Sequence, residues 1–218
     1  MSLDHTLPIR LPPERRSDIR RERLDEAQVN STPNWLAVAR GSVCPGAGVT
    51  GHDSCGYGDV MSVDELVVAF WASCRNSVDG LPERVPDAWA FGASEEQADR
   101  LLELVLSGAK TATASSLWDY EVDQEALPAD GDFSIVLDGR GAPRAVVQTL
   151  SVEVVPFDEV TERHARAEGE GDLSLREWRE AHERFWRAHS RSPRGFDARM
   201  PVVCEAFRLV HGLQRAVT

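Results

Sequence analysis

The chain has 218 residues, 42% of them hydrophobic and 28% charged, which is enough for one or two domains with a real core. Its formal net charge of −12 repels phosphate backbones; this excludes a histone-like role and tight non-specific binding to DNA, but leaves room for a pocket taking a nucleoside or a short RNA. No apolar run approaches the ~20 residues that span a bilayer, and the first residues do not read as a secretory leader. A cytoplasmic protein without membrane association is expected.

Residues 1–60 alternate Arg with Asp and Glu from Glu14 to Glu26, then turn Gly-rich between Gly41 and Asp59. This composition predicts a mostly disordered extension with at most one short charged helix. Met61 is a candidate alternative start of translation. Ser62 and the run Leu66, Val67, Phe70 and Trp71 predict a helix, and Gly80, Pro82 and Pro86 mark a linker, so residues 61–88 form a helix-plus-linker segment ahead of a domain over 89–211.

Within that domain, Ser94 predicts a helix cap with Gln97 at the capping-box position, and Gly108 predicts the stop. Lys110 to Ser116 and Phe133 to Leu137 read as strands, joined through the tight turn Asp138-Gly139-Arg140-Gly141 to a long strand from Arg144 to Val155. A short helix is predicted from Asp158 to Arg166, then an acidic loop from Glu168 to Asp172. Ser174, with Glu177 three residues on, caps a helix that carries Leu175, Trp178, His182, Phe185 and Trp186 near one face, and Val202 to Val210 is the closing strand. Few strands interleaved with helices predict an α+β domain built on a small mixed β-barrel with flanking helices.

The four cysteines, Cys44, Cys55, Cys74 and Cys204, form no C-x-x-C pair and have no His at zinc-finger spacing, so buried or incidental thiols are expected rather than a metal site or a disulfide framework.

Lys110 is the only lysine among 24 basic residues. Lysine offers what Arg cannot, an ammonium whose pKa moves with burial and neighbouring charge; a cation near a helix C-terminus is the plain alternative. Lys110 and Thr113 sit among Ala109, Ala112 and Ala114, where small neighbours leave space for a ligand and a hydroxyl could be activated by a nearby base. Residues three apart on an ideal strand face opposite sides, so the two converge only if the chain bends. By spacing alone, a strand-forming Thr and a capping Lys is the simpler account. The carboxylates from Glu168 to Asp172 can serve as a proton shuttle or a substrate-orienting group, and equally as a solvated acidic turn ahead of a helix. Trp118 and Tyr120 could wall a pocket or belong to the core. Trp178 and Trp186 read as core, and His164 and His182 as helix packing or surface.

Trp89-x-Phe91-Gly92 followed by Gly108-x-Lys110-Thr111-Ala112-Thr113-Ala114 resembles the opening of ASCH domains. The resemblance runs on through Leu127-Pro128, Gly131-Asp132, Asp138-Gly139, Val154 to Val160, Glu168 to Asp172, Ser174-Leu175, Trp178, and Pro201 to Glu205. It implies a PUA-like barrel, a fold associated with RNA and modified nucleosides. Some bacterial members of the family are amidohydrolases that deacetylate N4-acetylcytidine, and others are reported as ribonucleases. The amidohydrolase roles fall on Lys110, Thr113 and Glu168, with Ser115, Trp118, Tyr120, Glu170 and Asp172 as substrate-binding candidates and no cofactor or metal required. An RNA or modified-nucleoside binding module and a ribonuclease, both using the same pocket, are the alternatives. The small amidohydrolases carry Arg two residues beyond the Thr, where this chain has Ser115, and they lack the extra helix around Trp178.

Overall fold

The first turn of the first helix is set by side chains. Ser62 accepts from the Glu65 amide while the Glu65 carboxylate accepts from the Ser62 amide, a complete capping box that starts α1 (Val63–Ser77). In the computed structural model, residues 61–213 and the backbone of residues 8–10 are described. Strand β1 (Pro8–Arg10) runs antiparallel to β2 (Asp87–Phe91). Apart from that strand, residues 1–60 lie outside the described residues, as does the expectation that they form a disordered extension.

Helix α2 (Glu95–Leu106) is capped by Ser94, whose hydroxyl accepts from the Gln97 amide. The Gln97 side chain accepts from the amide of Ala93, one residue upstream of the cap, rather than from Ser94. Strand β3 covers Ala112–Ser116 and leads directly into a helix that patterning did not predict, α3 (Leu117–Asp123). Strands β4 (Phe133–Leu137) and β5 (Pro143–Pro156) form a hairpin in which Asp138 accepts from the amides of Arg140 and Ala142.

The single helix expected from Asp158 to Arg166 is two pieces. A 3₁₀ turn spans Phe157–Glu159, Val160 breaks it, and Thr161 caps α4 (Glu162–Glu168) by accepting from the His164 amide. Glu168 is therefore the last residue of a helix, with Gly169 in the left-handed conformation behind it. Helix α5 (Leu175–His189) starts at Ser174, and β6 (Pro201–Gly212) closes the domain.

The sheet order is β1-β2-β4-β5-β6-β3, with β2 and β4 parallel and the rest antiparallel. Register shifts within β4–β5 and at two points of β5–β6 bend the long strands, and β2 to β3 curl into a five-stranded half-barrel with helices around it, the PUA-like α+β fold expected. Alternation along the strands sends side chains to two faces. Phe91, Val136, Ala145, Val147 and Phe207 pack with Leu101, Leu102 and Val105 of α2. On the opposite face Ile135, Leu137 and Val146 meet Val67, Phe70 and Trp71 of α1. Ala114 and Val202 meet Ala165 of α4 and Trp178 and Trp186 of α5. No described helix is long and apolar enough to cross a membrane.

Candidate functional site

The chain leaves α2 at Gly108, whose φ of +78° turns it sharply. The Lys110 amide still bonds the Leu104 carbonyl at 3.0 Å, and the Thr111 amide already bonds the Ala167 carbonyl of α4 at 2.7 Å. Residues 110 and 111 therefore bridge one helix end to another, which is why β3 begins at Ala112 rather than at Lys110. This bend sends the Lys110 side chain into the protein, where it is 1% exposed and its Nζ lies 5.3 Å from the centre of the Phe91 ring.

Two carboxylates from one short stretch meet it there. Lys110 Nζ donates to Glu168 Oε2 at 3.0 Å and to Glu170 Oε1 at 2.8 Å. Glu168 is fully buried, and Glu170 Oε2 is buried with no hydrogen-bond partner among the described residues. An ammonium and two carboxylates taken out of water are tolerable only when paired and hydrogen-bonded this closely.

The other oxygen of Glu168 gathers donors from two helices. Trp178 Nε1 donates to Oε1 at 2.6 Å and His164 Nε2 lies 3.1 Å from it. His182 Nε2 is at 3.5 Å, beyond good hydrogen-bond range, and its Nδ1 faces the Trp178 carbonyl at 2.8 Å, which makes Nδ1 the donor there. The His182 ring stacks on Trp178 with centres 3.9 Å apart. Trp178 belongs to the core, as its helical position predicts, and is also a polar partner of the buried carboxylate. His164 and His182, read from the sequence as packing or surface residues, both border that carboxylate. The four-residue spacing from His164 to Glu168 on one helix was a legible signal for the first of these.

Charge shapes these groups. Burial pushes Lys110 down, but Glu170 and Glu168 together outweigh it and hold the ammonium above the ordinary lysine range. Burial pushes Glu168 up, yet the charge of Lys110, then of His182, and a hydrogen bond from His164 hold it well below the usual carboxylate range. Burial, Glu168 and Glu153 push the Cys204 thiol up to about 12. A lysine made a free base by desolvation is therefore not the resting state; the two acids reverse the expected direction.

Thr113 lies on β3 opposite Glu205 of β6. Paired residues on adjacent strands point to the same face, here the face of Phe207 and α2. Thr113 is 2% exposed and its Oγ1 has no hydrogen-bond partner among the described residues. Ser115 is half-buried, and its hydroxyl lies 3.4 Å from the Tyr120 hydroxyl. Trp118 packs on the α4–α5 core cluster, with the Arg194 guanidinium 5.2 Å above its ring. Asp172 stands apart with its side chain half-exposed, accepting from the Ser174 amide at the start of α5. The structure thus brings Lys110, Glu168 and Glu170 into one buried cluster, sets Thr113 on the adjoining strand, and leaves Asp172 at the surface.

The ASCH domain family model matches residues 87–211. Two solved structures are similar along most of their own length. One is a protein from Enterococcus faecalis V583, 39% identical, with 66% of this chain and 88% of that chain covered and a TM-score of 0.61. The other is an ASCH domain from Lactobacillus crispatus JV V101, 30% identical, with 71% of this chain and 98% of that chain covered and the same TM-score. No curated protein matches the chain.

Proposed function

This chain belongs to the ASCH domain family, and from that premise we propose that it is an amidohydrolase releasing the acyl group from an N-acylated pyrimidine nucleoside of the N4-acetylcytidine kind. The observation that carries this reading is the buried hydroxyl of Thr113, which has no hydrogen-bond partner among the described residues, three residues along the chain from an ammonium locked between two carboxylates. A buried hydroxyl without a partner costs about 1–3 kcal/mol, and a reacting group supplied by substrate would offset that cost. The PUA-like fold, an RNA-binding class, favours a nucleoside as that substrate. The negative surface favours a small one.

The 3.0 Å contact between Lys110 Nζ and Glu168 Oε2 supplies both an acid and a base. Moving one proton from Nζ to Oε2 leaves the net charge unchanged and both groups neutral, and water leaving as substrate binds favours the neutral pair. The free amine takes the Thr113 hydroxyl proton, Oγ1 attacks the acyl carbon, and the Glu168 acid protonates the departing 4-amino nitrogen. In the second half a water gives its proton to Glu168 and cleaves the acyl-threonine ester. The Thr113 oxygen recovers its proton from the Lys110 ammonium, and the pair relaxes to its charged form. No cofactor enters this scheme.

Incubation of the purified full chain with N4-acetylcytidine, followed by chromatography for cytidine, tests it. Release that disappears in Lys110→Ala and Thr113→Val is expected. A folded protein that releases no cytidine would remove this substrate and leave binding of a nucleoside or short RNA as the reading.

A further inference from the structure

Both oxygens of Glu168 are engaged. Lys110 holds Oε2, while Trp178 and His164 meet Oε1. Glu170 differs, and the proton-transfer scheme does not use it. Its Oε1 accepts from Lys110 Nζ at 2.8 Å, but its Oε2 is buried with no hydrogen-bond partner among the described residues. A carboxylate oxygen withdrawn from water without a donor is costly, and a donor brought by a ligand would offset that cost. Access is asymmetric within the cluster. The Glu170 side chain is 7% exposed, against 1% for Lys110 and for Glu168. It stands in the turn between α4 and α5, next to the exposed residues Gly171 to Leu173. Of the three charged groups, Glu170 is therefore the one nearest to solvent, where a ligand arrives.

We infer that Glu170 is a substrate-positioning residue whose Oε2 accepts the N–H of the scissile amide and, after cleavage, an N–H of the released 4-amino group. The inference rests on the amidohydrolase reading for its chemistry. In that scheme Glu168 delivers a proton to the amide nitrogen. Glu170 is tied to the same Lys110 Nζ as Glu168, so the two acids border one small volume. One gives the nitrogen its new proton while the other holds the hydrogen it already carries. A carboxylate oxygen suits an amino-pyrimidine, whose 4-amino group donates, and is repelled by the 4-oxo group of uracil, which only accepts. Sites that bury a polar group for one partner reject the analogue that leaves it unpaired. Glu170 thus selects bases with an exocyclic N–H, and the site prefers secondary amides of amino-pyrimidines over tertiary amides and esters of similar size.

Calorimetric titration of the full chain with cytidine, uridine and N4,N4-dimethylcytidine tests this without turnover. The wild type is expected to bind cytidine about tenfold or more tighter than either analogue, since neither has an exocyclic N–H. Glu170→Gln keeps the shape of the side chain but adds a donor, and should bring cytidine and uridine to within about twofold. That variant leaves the bulk of the two methyl groups unchanged. A penalty on the dimethyl analogue that persists undiminished in Glu170→Gln is therefore steric and overturns the inference, as does a preference for cytidine over uridine that survives there. Equal binding of cytidine and uridine by the wild type also overturns it, as does a folded wild type that binds no cytidine; these two results need no variant if Glu170→Gln fails to fold. Release of cytidine from N4-acetylcytidine alongside any of these overturning results would leave the hydrolase reading standing while Glu170 falls. Selective cytidine binding lost in Glu170→Gln, without any hydrolysis, would support Glu170 and remove the hydrolase.

Discussion

Gly169 lies so close to Ala109 that a β-carbon placed on it would stand 2.3 Å from the Ala109 carbonyl oxygen. This glycine separates Glu168 from Glu170, the two acids that grip Lys110, and its φ of +72° turns the chain between them. The close approach sets the distance between the end of α4 and the backbone that carries Lys110. Gly169→Ala should therefore lower stability by about 2 kcal/mol or more, combining left-handed strain with a backbone clash. Gly195 has a similar φ, but a β-carbon there would meet nothing within 4 Å; Gly195→Ala is the control and should lose only about 1 kcal/mol. Urea denaturation of both variants measures the difference; equal losses would show that the Ala109 contact is soft.

The buried pair makes a further prediction. Lys110→Met leaves Glu168 and Glu170 buried without their cation and should cost about 3–5 kcal/mol at neutral pH. Glu168→Gln leaves Lys110 still paired with Glu170 and should cost less. In the double variant one of the stranded charges is gone, so its loss should fall short of the sum of the singles by about 0.5–3 kcal/mol. Additive losses in this cycle would mean that the 3.0 Å contact contributes no coupling.

How much of this was legible in the sequence depended on distance along the chain. Ser94, Gly108 and Ser174 marked helix ends correctly because caps and stops are local, and the β4–β5 hairpin followed from its turn residues. Strand β2 was hidden: a few apolar residues after a proline-rich linker carry no strand pattern, and its parallel partner β4 lies far along the chain. Helix α3 has no side-chain cap. It is held instead by Asp119, which accepts from Ser190 Oγ and from the amides of Arg191 and Ser192, a tertiary cause. Lys110 stood out by being the sole lysine, but its direction of titration did not, because both acids that decide it arrive from beyond residue 167. His182 and Trp178 met Glu168 only once α5 had packed against α4.

The pH dependence of stability follows from the same pair. Glu168 is held below its ordinary value, so its contribution is complete above the unfolded carboxylate pKa, about 4.3, and is lost as pH falls through the lower folded value. Lys110 is held above its ordinary value, so its contribution is complete below about 10.4 and is lost as pH rises through the folded value. The stability difference between wild type and Glu168→Gln should then be flat from about pH 6 to 9 and shrink steadily below about pH 4. Guanidinium titrations across that range test this, and a difference that stays constant down to about pH 3 would show that Glu168 is not held ionised.

Trp178 offers the sharpest test of how Glu168 is held. Its indole N–H reaches Oε1 at 2.6 Å, while its ring stacks on Phe157 with centres 5.5 Å apart and on His182. Trp178→Phe keeps an aromatic ring in the core cluster and removes the donor. Loss of a hydrogen bond to a buried charged group costs about 1.5–3 kcal/mol, and part of any measured loss is the smaller ring. Stability alone cannot separate these two effects, but the carboxyl can. With one donor gone, the charged form of Glu168 loses stabilisation relative to the neutral form, and its titration moves upward. Carbon-13 NMR of the labelled Glu168 carboxyl should show that upward move in Trp178→Phe and none in Trp186→Phe, whose ring packs in the same apolar cluster. An unchanged titration in Trp178→Phe would reduce Trp178 to packing, and Lys110 and the two histidines would then be the groups that hold Glu168 in place.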